Sequence, residues 1–157
     1  VKRRLGLVGF LVFVALTLRT YAGTRSTVLV DGRRVSGRII LALVSNIELY
    51  GRYFHIAPTA RLDDGLLDVC CFHGQNISAI FYHAFTVLLQ RHMGDPRVSY
   101  YQARRVEIET ARPLPVQLDG EPFGMTPLTI KVVPQALTLL LPPTLAQDRF
   151  VTSGQEP

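Results

Sequence analysis

Cysteine is scarce in this chain of 157 residues: Cys70 and Cys71 are the only two, and they are adjacent. Neighbouring side chains of a strand point to opposite faces, so this pair is poorly placed to bridge itself. No disulfide framework is expected, and a reducing interior is the default compartment. Glycine is present but not in any loop of the kind that cradles phosphates, so the chain alone is not expected to hold ATP. No nucleophile elbow surrounds a serine. The four histidines, His55, His73, His83 and His92, lack close zinc-ligand spacing, and His83 and His92 read as helix-surface or helix-edge residues. Charge is sparse as well, at 18% against 48% hydrophobic residues, which excludes a disordered tail. No repeat unit recurs.

What is present is a chain long enough for one domain with a real core. Lys and Arg outnumber Asp and Glu by 17 to 12, a balance that favours anionic partners and says nothing about fold. Residues 5–18, LGLVGFLVFVALTL, form an uncharged run of 14 behind Lys2, Arg3 and Arg4. As a helix it would reach about 21 Å, short of the roughly 20 residues a membrane span needs. It reads as a core or interface helix ahead of a membrane-associated segment or a signal peptide, with Gly23 suited to close it. From Thr24 the period changes to that of strands. Residues 26–30 and 35–47 flank the hairpin signal Asp31-Gly32. A short strand is expected at 53–57 and a strongly apolar one at 67–72. One helix follows, capped by Asn76, with Ile77, Ile80, Phe81, Ala84, Phe85, Leu88 and Leu89 on one apolar face, ended by Gly94-Asp95-Pro96. Strict alternation in 106–109, in 128–132 and through Leu137, Leu139 and Leu141 predicts half-buried strands. Residues 116–118 lead into the turn Asp119-Gly120. Short strands with regular turns predict a β-sandwich or barrel with helices attached.

Two acidic turns could carry chemistry. Asp63 and Asp64 stand beside Gly65, where a sharp bend brings carbonyl oxygens near a carboxylate, the ligand type hard cations take; an Asx turn serving only the local backbone is the alternative. Asp119 and Glu121 share one turn, and such a pair can make one carboxylate a better base; a solvated hairpin tip is the alternative. Arg33-Arg34-Val35-Ser36 reads as a basic hairpin strand, not a phosphorylation site.

The lead-in LALVSNIELYG (41–51), IAPTARLDDGLLDVCCF (56–72) and VEIETARPLPVQLDGEPFGMTPLTIKVVP (106–134) resemble the bacterial diacylglycerol kinase-like lipid kinases, relatives of sphingosine and ceramide kinases, with LDDGLLDV followed by LDGEP in that order. The resemblance covers residues 1–142 and implies a mainly β fold with two helices, near 3–20 and 77–93: the β-sandwich C-terminal domain of a two-domain lipid kinase, followed by a polar tail at 143–157. The N-terminal domain, which would bind ATP through a Gly-Gly-Asp-Gly loop, is absent from this chain, so the chain alone is expected to be inactive. The family's acidic turn maps its proton acceptor onto Glu121, with Asp119 beside it. Its structural Mg²⁺ maps onto the side chain of Asp64 and the carbonyls of Arg61 and Leu66. One departure is visible: where the family often has a run of glycines, Gly51 is followed by Arg52-Tyr53-Phe54. The implied reaction is ATP-dependent phosphorylation of a lipid hydroxyl such as that of diacylglycerol. The implied partners are the lipid and a membrane surface, with no nucleic acid and with a homodimer left open; the implied location is cytoplasmic and peripheral at the membrane. A non-catalytic β-sandwich that binds membrane or a partner is the alternative.

Overall fold

The computed structural model describes residues 23–50 and 54–138. The expected first helix and the tail at 143–157 lie outside the described residues. Among the described residues ten strands and one α-helix run in order: β1 (Thr24–Val30), β2 (Arg33–Ser45), β3 (Leu49–Tyr50), β4 (Phe54–His55), β5 (Leu67–His73), α1 (Ile77–Leu88), a 3₁₀ turn at His92–Gly94, β6 (Val98–Ala103), β7 (Arg105–Thr110), β8 (Pro115–Leu118), β9 (Glu121–Met125) and β10 (Leu128–Lys131). The main sheet is antiparallel, in the order β10-β7-β1-β2-β5-β6.

That order forces the sheet to curl. β6 and β7 stand four strand-steps apart, about 19 Å if the sheet were flat, yet Arg104 alone joins them. One residue bridges at most about 7 Å between its neighbours, so the two ends of the sheet must come together. β2 supplies the bend. Its first half pairs with β1 and its second half with β5, with the register slipping between Ile39 and Leu41, and such a bulge turns a strand sharply. Val28, Val30, Val106 and Ile108 from one layer then meet Val69, Cys71 and Ala103 from the other. The expected β-sandwich is what the described residues form.

The turn residues act as their types predict. Asp31 and Gly32 take φ of +47° and +82°, the left-handed pair that a tight hairpin requires. The Asp31 carboxylate then reaches the corner between β6 and β7. It accepts the Arg104 N–H at 3.0 Å and the Arg105 N–H at 2.8 Å, while the Asp31 N–H donates to the Arg105 carbonyl at 2.9 Å.

β5 is covered on both faces. Cys71 points into the sandwich and Cys70 into a second cluster with Ile56, Phe72 and Val87 beneath α1, so the two thiols do face apart. Burial, aided by Cys71, pushes the Cys70 thiol up to about 12, and burial pushes Cys71 up to about 11; both are inert packing groups.

Four expectations fail here. The helix stops at Leu88, because Gln90 takes φ of +54° and the chain re-enters only as the 3₁₀ turn. Its cap is as expected, with Asn76 Oδ1 accepting the Ala79 N–H at 3.3 Å. Its buried residues, however, are His83, Thr86 and Val87, while Phe81, Phe85, Leu88 and Leu89 are exposed. His83 and His92 are not surface residues. His83 Nε2 donates to the His73 carbonyl at 2.8 Å and His92 Nε2 to the Ile56 carbonyl at 3.0 Å; satisfying main-chain acceptors is what admits a polar ring to the interior. Lastly, Leu137 lies outside any strand and is exposed.

Because Asp31 laces the corner, Asp31→Ala should lower unfolding free energy by about 1 kcal/mol, the scale of charge-assisted hydrogen bonds discounted for exposure. Asp31→Asn keeps an acceptor and tolerates the left-handed backbone, so it should lose less. Urea titrations of the three proteins check the order, and equal stability of wild type and Asp31→Ala would remove the corner tie.

Candidate functional site

The first acidic turn sits in the loop between β4 and β5. Gly65 takes φ of +67°, which lets the chain double back at Asp63 and Asp64. Asp64 Oδ1 accepts the Leu66 N–H at 2.9 Å, an Asx turn. That bond engages one of the two carboxylate oxygens. The donors offered to an ion here, the Asp64 carboxylate with the Arg61 and Leu66 carbonyls, would all be oxygen, a set that fits Mg²⁺ or Ca²⁺ and not zinc. Among the described residues no group of three or more His, Cys, Asp and Glu is placed to hold a metal, so any ion at this loop would rely on main-chain oxygen.

The loop is tied down by a residue that sequence reasoning did not single out. Asp68, inside the apolar strand β5, is fully buried. Its Oδ1 accepts from the Tyr100 hydroxyl and from Gln102 Nε2 at 3.2 Å, and the Thr59 hydroxyl lies within 3.1 Å of it. Thr59 precedes the acidic turn, so this cluster fastens the loop's root to β6. Burial, then the bond to Asp68, hold the Tyr100 hydroxyl above the usual phenol range. Asp68 Oδ2 is buried and has no hydrogen-bond partner among the described residues. The signal available in the sequence was a lone carboxylate within LLDVCCF.

The second acidic turn stands apart from the sandwich. β8 and β9 form their own two-stranded sheet, so residues 116–118 are not anchored in the sandwich as expected. The tip is nevertheless well defined: Asp119 and Gly120 take φ of +51° and +93°, and Leu118 pairs with Glu121. Both acids are exposed, as are Leu118, Phe123 and Met125 beside them. The hairpin's base is held at Thr126, whose N–H donates to the Leu114 carbonyl and whose hydroxyl accepts the Leu114 N–H, each at 2.9 Å. The two acidic turns therefore occupy separate elements, one rooted in the core and one projecting from it.

Asp68→Ala should cost about 1–3 kcal/mol, because it removes a buried acceptor and leaves the half-buried Tyr100 hydroxyl and the Gln102 amide without it. Asp68→Asn, which keeps one carbonyl oxygen, should cost less. Thermal unfolding of both variants measures this, and wild-type stability of Asp68→Ala would show that the cluster does not hold the loop.

Comparison with known proteins agrees with this architecture. Residues 1–141 match the family described as the YegS C-terminal NAD kinase beta sandwich-like domain. The chain is 31% identical over 97 residues to a diacylglycerol kinase of Bacillus subtilis (strain 168), covering 62% of this chain and 32% of that protein. It is 29% identical over 130 residues to a "Probable lipid kinase YegS-like" of Shewanella frigidimarina (strain NCIMB 400), covering 82% and 40% respectively. A crystal structure of a diacylglycerol kinase from Bacillus anthracis str. Sterne superposes with a TM-score of 0.66 at 25% identity, over 85% of this chain and 47% of that one. The chain thus spans less than half the length of these relatives. Fold, order of motifs and sequence match together show that this chain belongs to the YegS C-terminal β-sandwich-like family, as a lipid-kinase-like C-terminal domain.

Proposed function

We propose that this domain is the second half of an ATP-dependent lipid kinase that phosphorylates a lipid hydroxyl such as that of diacylglycerol. The observation that carries the reading is the β8–β9 hairpin, which presents Asp119 and Glu121 together at an exposed tip with apolar Leu118, Phe123 and Met125 alongside. A lipid hydroxyl is a poor nucleophile until a base within hydrogen-bond reach takes its proton. Glu121 is that base and Asp119 its partner. As the proton passes to the Glu121 carboxylate, the hydroxyl oxygen forms a bond to the γ-phosphorus of ATP. The bond from that phosphorus to the bridging oxygen breaks, giving phosphorylated lipid and ADP. ATP is bound mainly by the domain outside this chain, and positioning with electrostatic stabilisation supplies most of the rate.

Mg²⁺ at the Asp64 turn, with the Arg61 and Leu66 carbonyls, would be structural: it would neutralise the carboxylate and tie the turn to β5. The proposed setting is cytoplasmic and peripheral at the membrane, where the lipid is; no helix among the described residues is long and apolar enough to cross a bilayer. A second reading, a non-catalytic partner-binding module, is favoured by the exposed Phe81, Phe85 and Leu88 of α1.

In the full-length protein, Glu121→Gln should lower kcat by about 10²-fold or more, the scale of general-base loss, with KM for ATP nearly unchanged. Loss in Asp119→Asn with Glu121→Gln active reverses the two roles, full activity of both variants leaves the turn a hairpin tip, and no lipid phosphorylation by the wild-type full-length protein favours the module.

For the ion, Mg²⁺ should raise the melting temperature of the wild-type chain and leave Asp64→Ala unmoved. Equal Mg²⁺ stabilisation of both would remove the site.

A further inference from the structure

The outer face of β1 and β2 carries arginine on both strands. Arg25 stands directly opposite Arg38, a like-charge cross-strand pair that opposes the pairing unless something neutralises it. Thr27 faces Ser36 at the next outward pair, and Arg34 reaches over both, donating from Nε to Ser36 Oγ at 2.9 Å and from Nη2 to Thr27 Oγ1 at 3.3 Å. The three arginines are exposed, and among the described residues none has a carboxylate within ion-pair distance. They line an open groove of about 940 Å³ that runs past His73 to Arg97. Arg97 is already engaged, with its Nε 3.3 Å from Asp95 Oδ1 and its guanidinium 3.6 Å over the Tyr82 ring. Burial, then His83, hold the His73 imidazole below its ordinary 6.5, so it adds no charge near neutral pH. Among the described residues the one acid in the wall is Glu109, on β7 opposite Thr27. With Glu109 set against Arg25, Arg34 and Arg38, the groove keeps an excess of two positive charges, arranged around two hydroxyls.

Planar guanidinium forks with nearby hydroxyls match the oxygens of a phosphate. We propose that this groove takes the phosphate of an anionic lipid headgroup and so decides which face of the domain meets the membrane. The choice of a lipid as the phosphate carrier rests on the lipid-kinase reading above; the groove's open form suits headgroups presented in a plane.

Co-sedimentation of the whole chain with vesicles tests this, using phosphatidylcholine alone and phosphatidylcholine with phosphatidic acid. Wild type should prefer the second. The double variant Arg25→Gln/Arg38→Gln should bind phosphatidic acid vesicles about tenfold or more weakly, the effect of two basic residues near an anionic surface. The pair Arg91→Gln/Lys131→Gln, which removes equal charge elsewhere, should bind as wild type does. Three results would overturn the proposal: equal binding by wild type and the groove variant, equal loss in the charge-matched control, or binding of inorganic phosphate or duplex DNA at the groove with no preference among vesicles. Far-ultraviolet circular dichroism confirms that each variant is folded. No turnover is read, so the kinase reading can fail in its own assay while this binding holds, and the reverse.

Discussion

The single residue between β6 and β7 is the constraint on which the rest of the structure depends. Arg104 links strands that sit four places apart in the sheet order, and no flat sheet can satisfy that link. Closing it requires β2 to serve both layers through its irregularity at Ile39 and Leu41. It also requires the β1–β2 turn to meet the corner, which the Asp31 carboxylate does by accepting two main-chain N–H groups. Once the corner is closed, the valines of β1, β5 and β7 pack together with Val35, Ile39, Cys71, Ala103 and Ile108 as one core.

The closed sandwich holds its two acidic turns unequally. The Asp63-Asp64 turn grows from a loop pinned through Thr59, Asp68 and Tyr100 to β5 and β6 at one end of the sheet order, so its shape is set by the buried Asp68. The Asp119-Glu121 tip hangs on a separate hairpin, held mainly at its base by Thr126. An exposed carboxylate in water is a weak base toward an alcohol, and enclosure by a second domain and substrate is what would raise its power. A rooted turn suits a structural ion, and a projecting one suits a group that must meet substrate.

Much of this was legible in the residues. Asp-Gly at 31–32 and 119–120 gave hairpins because each pair must take left-handed backbone. Asn76 capped α1, and adjacent cysteines faced apart because strand side chains alternate. The orientation of α1 was not legible. Periodicity marks an apolar stripe but does not name its partner, and the side of α1 that meets the sheet is the one where His83 can reach a main-chain carbonyl. The buried His92 and Asp68 were missed for a related reason: a polar side chain enters a core when distant backbone or side-chain partners await it, and those partners come from remote parts of the chain. The site residues themselves came from motif order, since spacing alone left both acidic turns open to a purely local role.

Amide hydrogen exchange, followed residue by residue on this chain and on the full-length protein, is the most direct test of a closed core carrying one rooted and one projecting turn. In this chain the amides of β1, β5 and β7 should exchange slowest, while those of β8 and β9 exchange fast. In the full-length protein the β8–β9 hairpin alone should gain large protection. Protection of the hairpin equal to that of β1 in this chain, or no gain in the full-length protein, would contradict it.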